Sequence, residues 1–415
     1  MLRVKTIRGG VCSAKGFRAA GVAAEIKYKG RNDVALVVAD EPCAAAAVFT
    51  TNKVAAAPVL YDREILRSQA PGTRHQAPLA QAILANSGCA NACTGEAGLK
   101  DAKLSALVTA GELGIDPKHV LVASTGVIGR RLPMDRLLAG MKLAKAALGR
   151  TTAHGLAAEK AVMTTDTRPK QAAATVTIGG KKVTVGGMSK GSGMIEPNMA
   201  TMLGFVTTDA AITPAMLKRA LLLAINKSFN RVVVDGDEST NDSVFLLASG
   251  KAGNRAIDHA NDDFRLFLAA LETVCISLAK QMATDGEGAT KFVTVTVRGA
   301  KTAKDAERAA RAVAKSPLSK TSWFGRDPNW GRVLAAVGYS GADVVDMKAE
   351  VFYDGVWAFK CGKIADEKQL ARLAKVLKKY AFEVVVDLHL GKFESSIYTC
   401  DFSLDYVHIN ADYTT

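Results

Sequence analysis

Chemistry singles out residues 186–203, GGMSKGSGMIEPNMATML, where glycines, a lysine and a proline lead into Ala200, Thr201 and an apolar run. A threonine hydroxyl is a weak nucleophile unless a base adjoins it. At a chain's amino terminus a threonine carries that base as its own α-amine. This requires a break before Thr201, which the same hydroxyl can make. Its oxygen attacks the carbonyl carbon of Ala200, an N-to-O acyl shift gives an ester, and water opens it. The shift needs little bulk before the threonine and a loop able to hold a strained peptide. Ala200 and the Gly/Pro-rich lead-in meet both needs. By spacing alone the same residues also read as a surface loop running into a buried strand, and both readings stay open at this point.

Other chemistries find less support. Gly187-Met188-Ser189-Lys190-Gly191 matches the G-x-S-x-G nucleophile elbow, but the elbow needs a helix at once, and Gly-Ser-Gly-Met-Ile-Glu-Pro-Asn cannot start one. The histidines His75, His119, His154, His259, His389 and His408 form no H-E-x-x-H or H-x-E pattern, and none adjoins a cysteine pair at zinc spacing. Cys89 and Cys93 sit in a Ser/Asn/Gly segment and read as small, partly buried side chains. No glycine-rich loop ends in Gly-Lys-Ser/Thr. The expectation is no metal and no cofactor.

Strands and helices are interspersed along the chain that must position this segment. AEIKYKGRNDVALVVAD alternates like a hairpin with a polar turn, and VLVAST reads as a buried strand. TVTIGGKKVTVGG reads as two strands joined by a Gly-Gly-Lys-Lys turn. DAKLSALVTAGELG, DRLLAGMKLAKAALGR (opening near Asp135), PAMLKRALLLAINKSF, DFRLFLAALETVCISLAKQMA and AERAARAVAKSP carry helical periodicity. KFVTVTVRG, AEVFYDGVWAF and FEVVVDLHLGKF read as strands. Hairpins mixed with helices predict α/β layers with much antiparallel pairing, not a doubly wound parallel sheet.

At 415 residues the chain is long for one domain and comfortable for two. Its 48% hydrophobic and 23% charged residues are ordinary globular usage, and a chain this size needs no disulfide or metal staple. Seven scattered cysteines fit a reducing compartment. The opening residues lack a signal-peptide core and no apolar run approaches membrane-spanning length, so a cytoplasmic protein without a membrane partner is expected. Of the net charge of +14, nearly all lies in residues 1–200, with 27 Lys+Arg against 14 Asp+Glu. These cations are dispersed without interleaved aromatics, which argues against a nucleic-acid partner and for a solvated surface or a small anionic substrate.

The run KGSGMIEPNMATML resembles the autoprocessing site of the ornithine acetyltransferase (glutamate N-acetyltransferase) family. The likeness extends in order through GFRAAGVAAEIKYKGRNDVALV, ANSGCANACTG, STGVIG, MTTDTRPK, SFNRVVVDGDESTNDS, DGEGATKF, DPNWGRVLAAVGYSG and DFSLDYVHINADYTT. It departs at Glu196, where many relatives carry histidine or alanine, and at Cys400, where a small hydroxyl residue is common.

The resemblance implies a role for each matching residue. Cleavage falls between Ala200 and Thr201, and Thr201 is the nucleophile. Thr125 and Gly126 form the oxyanion hole. Thr167, Lys190, Thr201, Glu287, Asn410 and Thr415 bind substrate, with Thr164 or Thr165 as alternatives to Thr167. The implied fold is a layered sandwich like that of N-terminal-nucleophile enzymes. Residues 1–200 form an α chain and 201–415 a β chain, two of each making a heterotetramer. The implied reaction moves acetyl from N-acetylornithine to glutamate in arginine biosynthesis, and acetyl-CoA as a second donor stays open. An N-terminal-nucleophile amidase or aminopeptidase with water as acceptor is the alternative enzyme. A non-catalytic anion-binding protein, which would stay uncleaved, is the alternative outside enzymes.

Overall fold

A computed structural model describes residues 4–69, 78–196 and 202–412. The first part of the chain forms β1 (Lys5–Ile7), β2 (Phe17–Val22), β3 (Val34–Phe49), α1 (Ala57–Ser68), β4 (Leu79–Asn86), α2 (Gly95–Leu113), β5 (Val120–Ser124), α3 (Met134–Ala146), α4 (Thr152–Val162), β6 (Lys170–Ile178) and β7 (Lys181–Lys190). The middle forms β8 (Leu203–Thr208), α5 (Pro214–Lys227), β9 (Val232–Val233), β10 (Ser243–Ala248) and α6 (Asp262–Thr284). The remainder forms β11 (Phe292–Ala300), α7 (Ala303–Lys315), α8 (Pro317–Phe324), α9 (Trp330–Gly338), β12 (Glu350–Tyr353), β13 (Val356–Lys360), β14 (Lys363–Ile364), α10 (Glu367–Leu377), β15 (Ala381–Asp387), β16 (Phe393–Cys400) and α11 (Leu404–Asp412).

Local sequence explains the main turns. Gly179 and Gly180 have φ of +53° and +74°, so β6 and β7 close through a two-residue turn with Ile178 opposite Lys181. Asp354 and Gly355, at +45° and +75°, do the same between β12 and β13. Helix α2 stops at Gly114, whose left-handed φ of +69° ends the helix without steric penalty. Helix α7 buries Ala306, Ala309, Ala310, Val313 and Ala314, one face at helical spacing.

These elements build two sheets. One has nine strands in the order β1-β6-β7-β8-β10-β3-β4-β5, with β2 also paired to β3; the other has seven in the order β14-β13-β12-β15-β11-β16-β9. Most neighbours are antiparallel; β8 with β10, β4 with β5, β11 with β15 and β9 with β16 run parallel. The fold is therefore the expected mixed α/β sandwich, largely antiparallel and flanked by helices. Helices α5 and α6 cover one face of the large sheet, joining Leu217, Leu221, Phe267 and Leu278 to Val183, Val206 and Leu246. Helix α4 packs the opposite face with Phe17, Phe205 and Phe245, and α2 and α3 cover β3, β4 and β5.

Two expectations change and one exclusion holds. The hairpin expected within residues 24–40 has another first strand: β2 pairs with β3, Val22 opposite Val34. The backbone N–H groups of Ala24 and Ile26 are bonded instead by the Asp33 carboxylate, both at 2.6 Å, so that segment is a side-chain-organised loop. Ser189 lies inside β7 with its hydroxyl buried, so the G-x-S-x-G match is strand and not elbow. Finally, α6 is long and apolar enough by composition to cross a membrane, against the expectation of no such run. Half of its most apolar window is buried, however, and Phe264, Phe267, Leu271, Val274 and Leu278 face the core. Strands from both sides of residue 200 share the large sheet, β8 lying between β7 and β10.

Candidate active site

Parallel strands β4 and β5 end side by side at Asn86 and Ser124, and the chain turns sharply after each. The Thr125 N–H donates to the Asn86 carbonyl at 3.0 Å, and Ser124 Oγ donates to Asn86 Oδ1 at 2.7 Å. Asn241 locks the two turns together, its Nδ2 donating to the carbonyls of Ala90 (2.6 Å) and Ser124 (2.8 Å). Gly126 has φ +126°, and a Cβ there would lie 2.5 Å from the Gly88 carbonyl carbon. Only glycine fits, which leaves its backbone free to approach a ligand closely.

Opposite this turn, β7 ends at Lys190, paired with Leu203 of β8. The intervening loop is anchored as far as it is described. Gly191 N–H donates to Asp166 Oδ1 (2.8 Å), and Glu287 N–H to the Ser192 carbonyl (2.8 Å). Thr165 and Ser192 share a hydroxyl hydrogen bond of 2.7 Å. Asp235 accepts from Met194 N (2.6 Å) and Ile195 N (2.8 Å). Glu196 is buried and ion-paired with Lys315 (3.2 Å) and Arg311 (3.6 Å) on α7. Just before β8, the Met202 carbonyl accepts from Ser243 N–H at 2.9 Å.

Between the two sides lies a cavity of about 150 Å³. Its wall includes Thr125, Gly126, Ile128, Thr164, Thr165, Lys190, Gly193, Met194, Met202, Leu203, Asp235, Asp237, Ser239, Thr240, Asn241, Asp242, Glu287, Tyr406 and Asn410. Lys190 Nζ donates to Thr125 Oγ1 at 3.1 Å. Because that oxygen accepts from the ammonium, its own O–H is free to donate into the cavity. Burial pulls the Lys190 pKa down, against the pull of Asp166, Asp242 and Glu287. Burial also pushes the Asp235 carboxyl up despite its backbone hydrogen bonds. Glu287 packs over Gly193, where a Cβ would sit 2.3 Å from Oε2, and Asn410 of α11 donates to Oε2 at 2.9 Å. One cation thus faces several carboxylates, amides and hydroxyls, which suits a small zwitterion whose carboxylate and ammonium bind opposite walls.

Of the residues expected from the sequence, Thr125, Gly126, Lys190, Glu287 and Asn410 meet at this cavity. Thr167 does not. It is exposed, its hydroxyl donating to the Asp285 carboxylate, and from its loop Thr164 and Thr165 line the wall instead. Ala200, Thr201 and Thr415 lie outside the described residues; Met202, next in the chain after Thr201, lines the cavity. Sequence reasoning missed Asn241, Asp235 and the buried set Asp166, Lys170 and Asp285. Asp285 opens DGEGATKF and Asp166 lies within MTTDTRPK, but nothing in a sequence tells a buried carboxylate from a solvated one.

The ArgJ family matches residues 18–415. The arginine biosynthesis bifunctional protein ArgJ of Geobacter sulfurreducens is 51% identical over 403 residues, 97% of this chain and 100% of the relative. The glutamate N-acetyltransferase of Methanocaldococcus jannaschii is 44% identical over 426 residues, 99% of this chain and 100% of the relative. A crystal structure of ornithine acetyltransferase complexed with ornithine, from Mycobacterium tuberculosis, is 41% identical at a TM-score of 0.42, covering 48% of this chain and 100% of that chain.

Proposed function

The chain belongs to the ArgJ family, and from that membership together with the cavity's geometry we propose that it moves acetyl from N-acetylornithine to glutamate through an acetyl-Thr201 intermediate. The products are ornithine and N-acetylglutamate, for arginine biosynthesis. Thr201, freed at its α-amine by cleavage after Ala200, attacks the acetyl carbonyl with Oγ1 while that amine takes the proton. The Thr125 hydroxyl and the Gly126 N–H hold the oxyanion as the tetrahedral centre forms. Ornithine leaves with a proton, and the glutamate amine then attacks the acetyl ester.

Lys190 holds a substrate carboxylate, and Glu287 with Asn410 holds the ammonium end. Thr164 and Thr165 are the hydroxyl contacts from their loop, with Thr167 acting from behind through Asp285. The observation that carries this reading is the cavity onto which the Thr125–Gly126 turn, Lys190, Glu287 and Asn410 all open, with Met202, the residue after Thr201, in its wall. Acetyl-CoA, as a second donor, would acylate the same threonine. We carry the assembly over from the resemblance as a heterotetramer of two 1–200 and two 201–415 chains, acting in the cytoplasm. Family membership sets the amidase alternative aside.

An intact-mass spectrum tests the reading directly. Two fragments are expected, the second beginning at Thr201 and gaining one acetyl group on incubation with N-acetylornithine alone. Parallel double-reciprocal lines for donor and acceptor should accompany it. Fully active protein that remains one chain would overturn it.

A further inference from the structure

Behind the cavity wall, the loops that carry its polar groups meet on one buried ammonium. Lys170 Nζ donates to Asp166 Oδ1 and Asp285 Oδ2, both at 2.6 Å, and to the Arg168 carbonyl at 3.2 Å. Asp285 also accepts from the N–H groups of Thr167 (3.1 Å) and Arg168 (3.3 Å). Asp166 reaches further. Beside Lys170, its Oδ1 accepts the N–H of Gly191, the residue after Lys190, and its Oδ2 accepts the N–H of Thr164 at 3.0 Å. One carboxylate therefore fixes the backbone on both sides of a corner of the cavity.

Its charge faces the same corner. Around Lys190 stand Lys170 with one sign and Asp166, Asp242 and Glu287 with the other, while Asp235 and Asp237 line the cavity. Burial disfavours the Lys190 ammonium, and Asp166 is the strongest influence opposing it. Burial would raise Asp166 as well, but Lys170 and Lys190 outweigh it and hold its pKa at about 2, so it is an anion at any working pH. An unpaired ammonium at this depth would tend to lose its proton, and with it the ability to hold a carboxylate.

We infer that Asp166 is a positioning residue for Lys190: a buried anion, fixed by Lys170, that keeps the Lys190 ammonium charged for the substrate carboxylate and ties down Gly191 and Thr164 on either side. This rests on the proposed role of Lys190 as the carboxylate site. A residue that merely braced the fold would change how much protein folds, not the pH at which folded enzyme binds its ligand.

The test is single-turnover acetylation of Thr201 by N-acetylglutamate as a function of pH. The probe's only titrating groups are carboxyls, ionised above about pH 5, so a basic limb belongs to the protein. In Asp166→Asn that limb should move down by about one pH unit or more, giving about ten-fold less acetylation at a pH on the limb. In the Lys190→Arg background, where the guanidinium stays charged, Asp166→Asn should move no limb. Should Asp166→Asn fail to fold, Asp166→Glu keeps the charge but displaces it, so the limb should stay while KM rises; a limb that falls would overturn the inference. An unmoved limb in folded Asp166→Asn overturns it too. The premise fails separately, if Lys190→Met takes acetyl from N-acetylglutamate as the unaltered enzyme does.

Discussion

The two sheets solve opposite problems with similar residues. In the seven-stranded sheet, Val293, Val295 and Val297 of β11, Val384 and Val386 of β15 and Val351 of β12 alternate onto one face, under the alanines of α7 and under Trp323, Leu373 and Leu377. Its strength is apolar burial. At the β4–β5 and β7–β8 ends of the nine-stranded sheet, Asn86, Asn91, Ser124, Thr125, Asp166, Lys170, Lys190 and Asn241 are buried instead. Those groups hold their places by hydrogen bonds and by pairing of opposite charges, which costs stability that an apolar core would have supplied. The difference teaches that the chemistry proposed for this molecule sits where its core is least efficient, while the other sheet is built for packing.

That contrast yields graded expectations. Thr201→Ala should leave the chain uncut and without turnover, yet melt within a few degrees of the unaltered protein, as shown by electrophoresis and calorimetry side by side. Thr125→Val should lower turnover ~10²–10³-fold, the usual cost of one oxyanion donor, again with little change in melting. Ile397→Ala, in β16 of the other sheet, should do the reverse. Denaturant titration should show a loss of about 2–5 kcal/mol, with turnover per folded, processed molecule unchanged. If Ile397→Ala alters KM or Thr125→Val unfolds the protein, the division between packing and chemistry is not as drawn.

Smaller effects sharpen it. Glu287→Gln should raise KM about ten-fold with a lesser change in turnover, near the ~1.5 kcal/mol of one hydrogen bond to a charged group. It should still be cleaved; a folded but unprocessed variant would move Glu287 into the cleavage machinery. Glu159 of α4 is buried, and desolvation lifts its pKa from 4.5 to about 8, with Lys170 opposing. The sign follows from proton counting. Between these values the unfolded chain releases the proton first, so the contribution to stability is full below pH 4.5 and fades as pH rises through 8. Glu159→Gln should therefore raise the melting temperature by a few degrees more at pH 8 than at pH 5.

Much of this architecture was legible in advance. The Gly179-Gly180 hairpin, α2, α5, α6, α7 and the strands β5 and β11 announce themselves by period and by turn residues acting over a few positions. The hairpin first strand at Phe17–Val22 was missed because Asp33 satisfies the loop's N–H groups, a contact that alternation cannot register. For the site, the family resemblance brought out Thr125, Gly126, Lys190, Glu287 and Asn410, which line the cavity, along with Thr167, which does not. Asp166, Lys170 and Asn241 were silent. Their importance lies in being buried together from distant parts of the chain, and burial of a charge leaves no local trace.

Strand β8 carries a consequence for the order of events in the protein's life. It lies between β7 and β10, hydrogen-bonded along both edges, and begins two residues after the bond proposed to break. β7 and β8, on either side of this bond, are paired only once a strand from the later half of the chain has been threaded into a sheet begun by the earlier half. Scission would thus come last, as a receipt for completed assembly, and a half-made or misthreaded chain would keep its threonine blocked. Once made, the nick would release nothing, because parting the pieces means unzipping the middle of the sheet.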